Sequence, residues 1–314
     1  MVIERAAGTL QDKTFIDLPE FLTPRDLIVF NDTKVIPARF FGELAGSGGA
    51  VELLLLTPIQ DNTWRVLGRP LKKFTAGKII NLSDELSAEV ISRDEDTAVV
   101  RFKTPSSASV SELLHKVGIM PIPPYIRAGH SDDQDKEDYQ TPFARVEGSV
   151  AAPTASLHFS EKLRAKINEQ GIKTATITLH LNTASFQPLL NKETQEIKPP
   201  PSERIIIPDG IKEAISRTKA CGGRVVAVGT SMVRSLESLA LPEIETRDST
   251  DLFIKPGHRF KVVDVVVTNF HQPGTSHLML VEAFLGRDML QKSYQHALAS
   301  NYRFLSYGDG MVLF

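Results

Sequence analysis

The chain has 314 residues, 41% of them hydrophobic and 24% charged, with a formal net charge of −2. That is ordinary globular composition for about two domains, and it excludes a polycation, a collagen-like repeat and a coiled-coil rod. The single cysteine, Cys221, excludes an intramolecular disulfide framework, a four-thiolate zinc site and a three-cysteine iron–sulfur cluster. Met1-Val2-Ile3-Glu4-Arg5 lacks a basic start followed by an apolar run, so no signal peptide is expected. The longest apolar stretch, residues 51–56, is far below the ~20 residues of a membrane span, so a cytoplasmic protein is expected. Residues 27–30 are an apolar run that stops at Asn31-Asp32, which predicts a buried strand ending in a polar turn.

From Ala38 to about Phe102 the texture changes. Short apolar segments (39–44, 51–56, 64–67, 78–82, 88–91 and 98–102) alternate with turn-rich stretches such as Gly46-Ser47-Gly48-Gly49 and Gln60-Asp61-Asn62. Short strands at regular spacing predict a small antiparallel barrel or sandwich, with a β-meander on the main domain as the alternative. Residues 110–117 predict a short helix ending at Gly118. Met120-Pro121-Ile122-Pro123-Pro124-Tyr125-Ile126 is held extended by its prolines and reads as a linker or a cleft wall. The second half alternates between predicted helices (161–170, 210–220, 231–239, 276–285, 291–301) and predicted strands (175–181, 224–228, 261–268). This implies an α/β layer with a mostly parallel sheet. The expected organisation is an α/β domain of residues 1–37 and 118–314, interrupted by an all-β, barrel-like insertion of residues 38–117.

Ligands of open α/β sheets sit beyond the carboxyl ends of strands, and polar clusters fall there. Asn31-Asp32-Thr33-Lys34 follows the first strand, or is simply a turn capped by Asn and Asp. Gly229-Thr230-Ser231 leaves backbone N–H groups free for an anion or a carboxylate. Thr268-Asn269-Phe270-His271 places a candidate proton carrier at a strand end, or a histidine that only ties the loop. The small residues Ala151 to Ser156 precede His158. Tyr302-Arg303-Phe304-Leu305-Ser306-Tyr307-Gly308-Asp309 is a ligand-facing loop or a C-terminal strand with alternating faces. None of the eight histidines shows the paired spacing of a zinc site, and no nucleophile elbow, dinucleotide fingerprint or Walker loop is present. No metal is expected.

Taken in order, these words resemble one family, the S-adenosylmethionine:tRNA ribosyltransferase-isomerases of queuosine biosynthesis. They are Phe30-Asn31-Asp32-Thr33-Lys34-Val35-Ile36-Pro37-Ala38-Arg39; Met120 to Ile126; Asp138-Tyr139-Gln140-Thr141; Ala151 to Phe159; Thr178-Leu179-His180; Ala227-Val228-Gly229-Thr230 with Arg234; Thr268 to His271; and Tyr302-Arg303-Phe304 with Ser306-Tyr307-Gly308-Asp309. The resemblance implies that the ribosyl part of S-adenosylmethionine, the co-substrate, is moved onto 7-aminomethyl-7-deazaguanine at the tRNA wobble position. Epoxyqueuosine forms, and adenine and methionine leave. The sulfonium acidifies the C5′ protons, so a base is needed; adenine departs, so an acid helps. His158, His271 and Asp309 are the candidates for these proton transfers. Arg39, Arg234 and Arg303 are candidates for phosphate or carboxylate contacts. Asp32, Thr154, His180, Thr230, Asn269 and Tyr307 complete the expected binding set. The expected partners are tRNA and S-adenosylmethionine, with no membrane, and a monomer is the expected state. A tRNA footprint is expected on Arg69, Lys72, Lys73 and Lys78, with Arg127 and Arg145, unless these are only a solvated charged face.

Three departures from the family pattern shape the alternative. A family segment with a Leu-Ile-Ala-Gln-like stretch precedes the region that starts here at Val2, and its ligand contacts are expected to be lacking. The word Leu-His-Val-Gly-x-Gly-Thr-Phe reads Leu179-His180-Leu181-Asn182-Thr183-Ala184-Ser185-Phe186. The word His-x-Met-His-x-Glu reads Lys198-Pro199-Pro200-Pro201-Ser202-Glu203, keeping only the Glu. The alternative is a divergent or inactive homologue that binds S-adenosylmethionine or RNA without this chemistry.

Overall fold

Val225–Val228 and Val265–Asn269 are buried at every position, as befits strands covered on both faces. In the computed structural model, which describes residues 1–60, 62–104, 109–182, 197, 199–241 and 248–314, they lie at the heart of a nine-stranded sheet. Its centre is four parallel strands in the order Lys173–Leu179, Leu27–Asn31, Val225–Val228 and Val265–Asn269. Glu203–Ile206 and then Ser249–Thr250 extend one side antiparallel. Gly310–Leu313 pairs antiparallel on the other side, followed by Val2–Glu4, parallel to it, and Thr9–Gln11. The sheet is therefore mixed, with its parallel part in the middle.

Side chains alternate across the pleat, so each strand feeds two cores. Val266 and Phe270 pack with Met232, Leu236, Val281 and Phe284 on a first face, beneath helices Thr230–Ser238 and Ser276–Leu285. Val265 and Val267 pack with Phe159, Leu163 and Ile167 on a second face, beneath helix Glu161–Glu169. Caps fix where these helices begin. The Ser160 hydroxyl accepts the Leu163 N–H, and the Thr275 hydroxyl accepts the Leu278 N–H.

Residues 261–263, expected to open a strand, do not join the sheet. The buried carboxylate of Glu237 accepts hydrogen bonds from the backbone N–H groups of Lys261, Val262 and Val263, at 2.9 Å each, so these donors are taken from any ladder. The strand starts at Val265 instead. Residues 302–309 form no strand either; the C-terminal strand is Gly310–Leu313.

The second unit is a closed six-stranded barrel, in ring order Ala98–Lys103, Thr63–Arg69, Ala50–Gln60, Arg39–Leu44, Ile79–Asn81 and Ser87–Arg93. Alternation carries it. Val51, Leu53 and Leu55 point inward with Phe40, Val66, Ile80, Val90 and Val100, and helix Val110–Val117 adds Val110, Leu113 and Leu114 to that core. Gly68 is required here, because a Cβ would stand 2.4 Å from the Phe74 ring.

The chain divides into Met1–Lys34, Thr141–Val146 and Ala152–Phe314 on the one hand, and Val35–Gln140 with Glu147–Ala151 on the other. The division differs from the expected one chiefly at residues 118–140, which group with the barrel. The reason is local. Ile119 and Arg39 exchange backbone hydrogen bonds at 2.9 and 3.2 Å, and the Arg39 guanidinium donates to the Gly129 carbonyl.

Candidate active site

Strand polarity gathers the polar words of the sequence along one edge of the sheet. The four parallel strands end there, bringing His180, Asp32, Gly229-Thr230 and Asn269 to His271. Two antiparallel strands begin there, bringing Glu203 and Asp309. This is the crevice outside the carboxyl ends of strands where such sheets take ligands. Within it the residues form distinct hydrogen-bonded groups, set by which face each strand residue serves.

Asp32 is buried and accepts the Thr178 hydroxyl at 2.5 Å and the Arg145 guanidinium at 2.7 and 3.2 Å. Beside it, the Thr33 hydroxyl lies 2.8 Å from His180 Nδ1. Burial holds the His180 imidazole below its ordinary pKa, helped by Arg204 and opposed by Asp32. Asn31 stitches the strand ends, accepting the Leu179 N–H and donating to the Leu179 carbonyl.

His158 stacks on Phe15, with ring centroids 4.3 Å apart and 9° between planes, and its Nε2 lies 3.0 Å from Asn269 Nδ2. Asn269 in turn accepts a long hydrogen bond from Thr154, at 3.4 Å. Burial lowers the His158 pKa; Asp309 opposes the shift and Arg303 reinforces it. The Asp309 carboxylate accepts the Arg303 N–H at 2.7 Å, with the Arg303 guanidinium 3.6 Å away. Gly310 lets the Phe15 ring that stacks on His158 lie close to the backbone, since a Cβ there would be 2.7 Å from that ring.

Thr268, the residue before Asn269, serves the opposite face. Its hydroxyl is 2.9 Å from His271 Nε2, and the His271 N–H donates to the Tyr294 hydroxyl at 2.9 Å. The His271 ring stacks on His277, with centroids 5.1 Å apart and 24° between planes. Burial, then the His277 ring, holds His271 well below the ordinary histidine range. Burial, then Arg234, lowers His277 to about 4. Arg234 itself is bound: it pairs with the buried Glu203 carboxylate and donates Nε to the Leu252 carbonyl at 2.9 Å. Burial pushes the Glu203 carboxyl up, against the pull of Arg234. The backbone of Thr230 opens helix Thr230–Ser238 after Gly229, whose φ of 87° suits glycine, and no side chain caps that helix start.

Arg39 does not join these groups. It lies in the barrel unit, where its guanidinium is bound to Glu52 at 2.8 Å and to the Gly129 carbonyl. Tyr307 and Arg303 are exposed on the loop before Asp309. Thr183 to Phe186 and Lys198, quoted from the family words, lie outside the described residues. Thr178, from a family word, and Arg145, expected on the tRNA footprint, join the groups as partners of Asp32, while His277 and Tyr294 complete them with no strand-end signal to mark them. Only the six-residue spacing of the two histidines, across a Pro-Gly turn, could have drawn attention to His277. Among the described residues no group of three or more His, Cys, Asp or Glu side chains could hold a metal ion.

The sequence matches the family described as Queuosine biosynthesis protein over residues 1–313. The chain belongs to that family. A relative from Azoarcus sp. (strain BH72), named S-adenosylmethionine:tRNA ribosyltransferase-isomerase, is 44% identical over 97% of this chain and 87% of its own length. One of the same name from Xanthomonas oryzae pv. oryzae is 43% identical over 100% of this chain and 89% of its own. A crystal structure of S-adenosylmethionine tRNA ribosyltransferase from Thermotoga maritima superposes with a TM-score of 0.53 at 30% identity, covering 100% of this chain and 91% of that one. Among the described residues, no helix of the chain is long and apolar enough to cross a membrane.

Proposed function

We propose that the chain is a tRNA-modifying transferase, moving the ribosyl part of S-adenosylmethionine onto 7-aminomethyl-7-deazaguanine at the wobble position. Epoxyqueuosine is the product, with adenine and methionine released. The observation that carries this reading is the match, along 97% and 100% of the chain, to relatives of that enzyme name.

The strand-end edge supplies groups of the required kinds. His271 is held neutral at pH 7, the form that accepts a proton from the carbon beside the sulfonium. His158 and Asp309 are the groups for assisting the departure of adenine. The uncapped backbone at Thr230 suits the methionine carboxylate, and Arg303 is an exposed cation for the same class of anion. Asp32, Thr154, His180, Asn269 and Tyr307 are the binding set. Arg234 acts from behind, through Glu203 and His277, and Arg39 acts within the barrel unit. The tRNA footprint is proposed on Arg69, Lys72, Lys73 and Lys78.

The test is incubation with S-adenosylmethionine and tRNA carrying the precursor base, following free adenine and the mass of the modified nucleoside. Release that depends on the tRNA is expected. Binding of S-adenosylmethionine without release would favour the non-catalytic homologue, the reading to which Lys198 and Pro201 in place of the family histidines point. Release without tRNA would point to a nucleoside hydrolase instead.

A further inference from the structure

His271 sits just past strand Val265–Asn269, and His277 is the second residue of helix Ser276–Leu285. The turn between them folds the two imidazoles face to face at 5.1 Å. Among the described residues, His271 Nδ1 and both ring nitrogens of His277 have no hydrogen-bond partner, and none of them is a fully enclosed atom. Three open imidazole nitrogens at the ligand edge are more than packing alone requires. Backbone anchors hold the frame. The His271 N–H is tied to Tyr294, and the Thr275 hydroxyl caps the helix that carries His277.

The surroundings limit how much positive charge the pair can take. The partial positive charge of a helix start disfavours imidazolium at its second residue. Arg234, from helix Thr230–Ser238, adds its charge, partly offset by the Glu203 bound to it. Tyr294, from helix Arg287–Ala299, faces His271 as a neutral phenol, its pKa pushed up to about 12. A proton placed on one ring therefore makes a second on its neighbour costly.

We propose that His277 is a positioning residue for His271: the stacked ring sets the plane of the His271 imidazole at the strand end, and the pair takes up one proton, not two, as pH falls. His271 takes the proton at Nδ1, while Nε2 stays on the Thr268 hydroxyl. The role in turnover rests on the transferase reading above; the uptake of one proton does not.

The test uses the full-length protein with His277→Phe, which keeps a stacked ring without a titrating nitrogen, and His277→Leu, which removes both. NMR titration of the histidine ring signals gives the His271 midpoint, and adenine release against pH gives the kinetic one. Both variants should raise the His271 midpoint by at least about half a pH unit, and the acid limb of the rate profile should move with it. His277→Phe should retain kcat within about threefold and His277→Leu should lose about tenfold, with KM little changed in either. An unmoved His271 midpoint in both variants would overturn the proposal. Should neither variant fold, the parent protein decides: two well-separated steps from the two rings support the uptake of one proton, and two independent titrations near the ordinary histidine value refute it. A moved midpoint in a protein whose parent releases no adenine would remove the transferase reading and leave the one-proton pair standing.

Discussion

Asp32, Glu203 and Glu237 in the sheet unit are each no more than 5% exposed, and each accepts several hydrogen bonds. Arg69, Lys72 and Lys78 in the barrel unit are exposed and have no ion-pair partner among the described residues. Charged side chains thus live in two electrostatic regimes. Bound groups in a low-dielectric edge act strongly over short range and are barely screened by salt. Free cations in water act weakly, at a distance, and through salt. Arg127 and Arg145 stand between the two: their side chains are 47% and 72% exposed, yet each is committed to a carboxylate, Arg127 to Asp132 and Asp135 and Arg145 to Asp32. Changes in the sheet unit should therefore be large and insensitive to salt, and changes at the barrel cations small and dominated by it.

The largest effect is expected at His271. His271→Ala should lower kcat for adenine release by about 10²–10⁴-fold, the usual worth of a positioned acid–base group. The loss should be the same at low and high salt. Unchanged turnover would strike His271 from the site and leave His158 as the histidine to test.

Arg234→Ala comes next, and stability reads it. Removing the guanidinium leaves Glu203 buried without its ion partner, which costs about 3–5 kcal/mol. Glu203 binds its proton more readily in the folded chain than in the unfolded one, because burial raises its pKa above 4.5 and Arg234 only opposes that. Its stabilising contribution is thus present at low pH and is lost as pH rises through the raised value. Without Arg234 the rise is greater, so the deficit of the variant should widen from pH 4 to pH 7 in urea unfolding. A deficit independent of pH would mean that Glu203 is not the group left stranded.

These pairings explain what the sequence revealed and what it hid. The barrel was legible because Val51, Leu53 and Leu55 keep period two, and the central strands because Val225–Val228 is one apolar run. The edge residues Asp32, Asn269 and His271 were legible as polar stops after such runs. Their partners were not. Asp32 meets Arg145 across 113 residues and Glu203 meets Arg234 across 31, and no local pattern encodes a distance of that kind. Residues 261–263 read as strand because propensity cannot see Glu237 claiming their N–H groups. Val2–Glu4 and Thr9–Gln11, three residues each, are too short to show a period. Arg39 carried a family word, but its side chain is committed inside the barrel unit.

The third expected effect is smaller and concerns acid stability. His277 charges at the ordinary 6.5 when unfolded but at about 4 when folded, so the fold loses stability as pH falls between those values. The full difference corresponds to about 3 kcal/mol, and the ring's partial exposure reduces this to about 2 kcal/mol. His277→Leu should therefore lose about 2 kcal/mol less than the parent protein between pH 7 and pH 4. Superimposable acid limbs would place His277 in the exposed regime with the barrel cations.

The smallest effect lies on the barrel and is the one that salt must reveal. If Lys72 and Lys78 each neutralise one tRNA phosphate, Lys72→Ala should weaken binding only a few-fold at moderate salt. The slope of log affinity against log salt should become shallower by about 0.7–0.9 per lysine removed. Lys72→Ala with Lys78→Ala should give twice that change, because exposed sites without shared partners act additively. Arg127→Ala is the internal control: its charge already serves Asp132 and Asp135, so the slope should hold. A slope that ignores the lysines and follows Arg127 would invert the assignment of free and committed cations within the barrel unit.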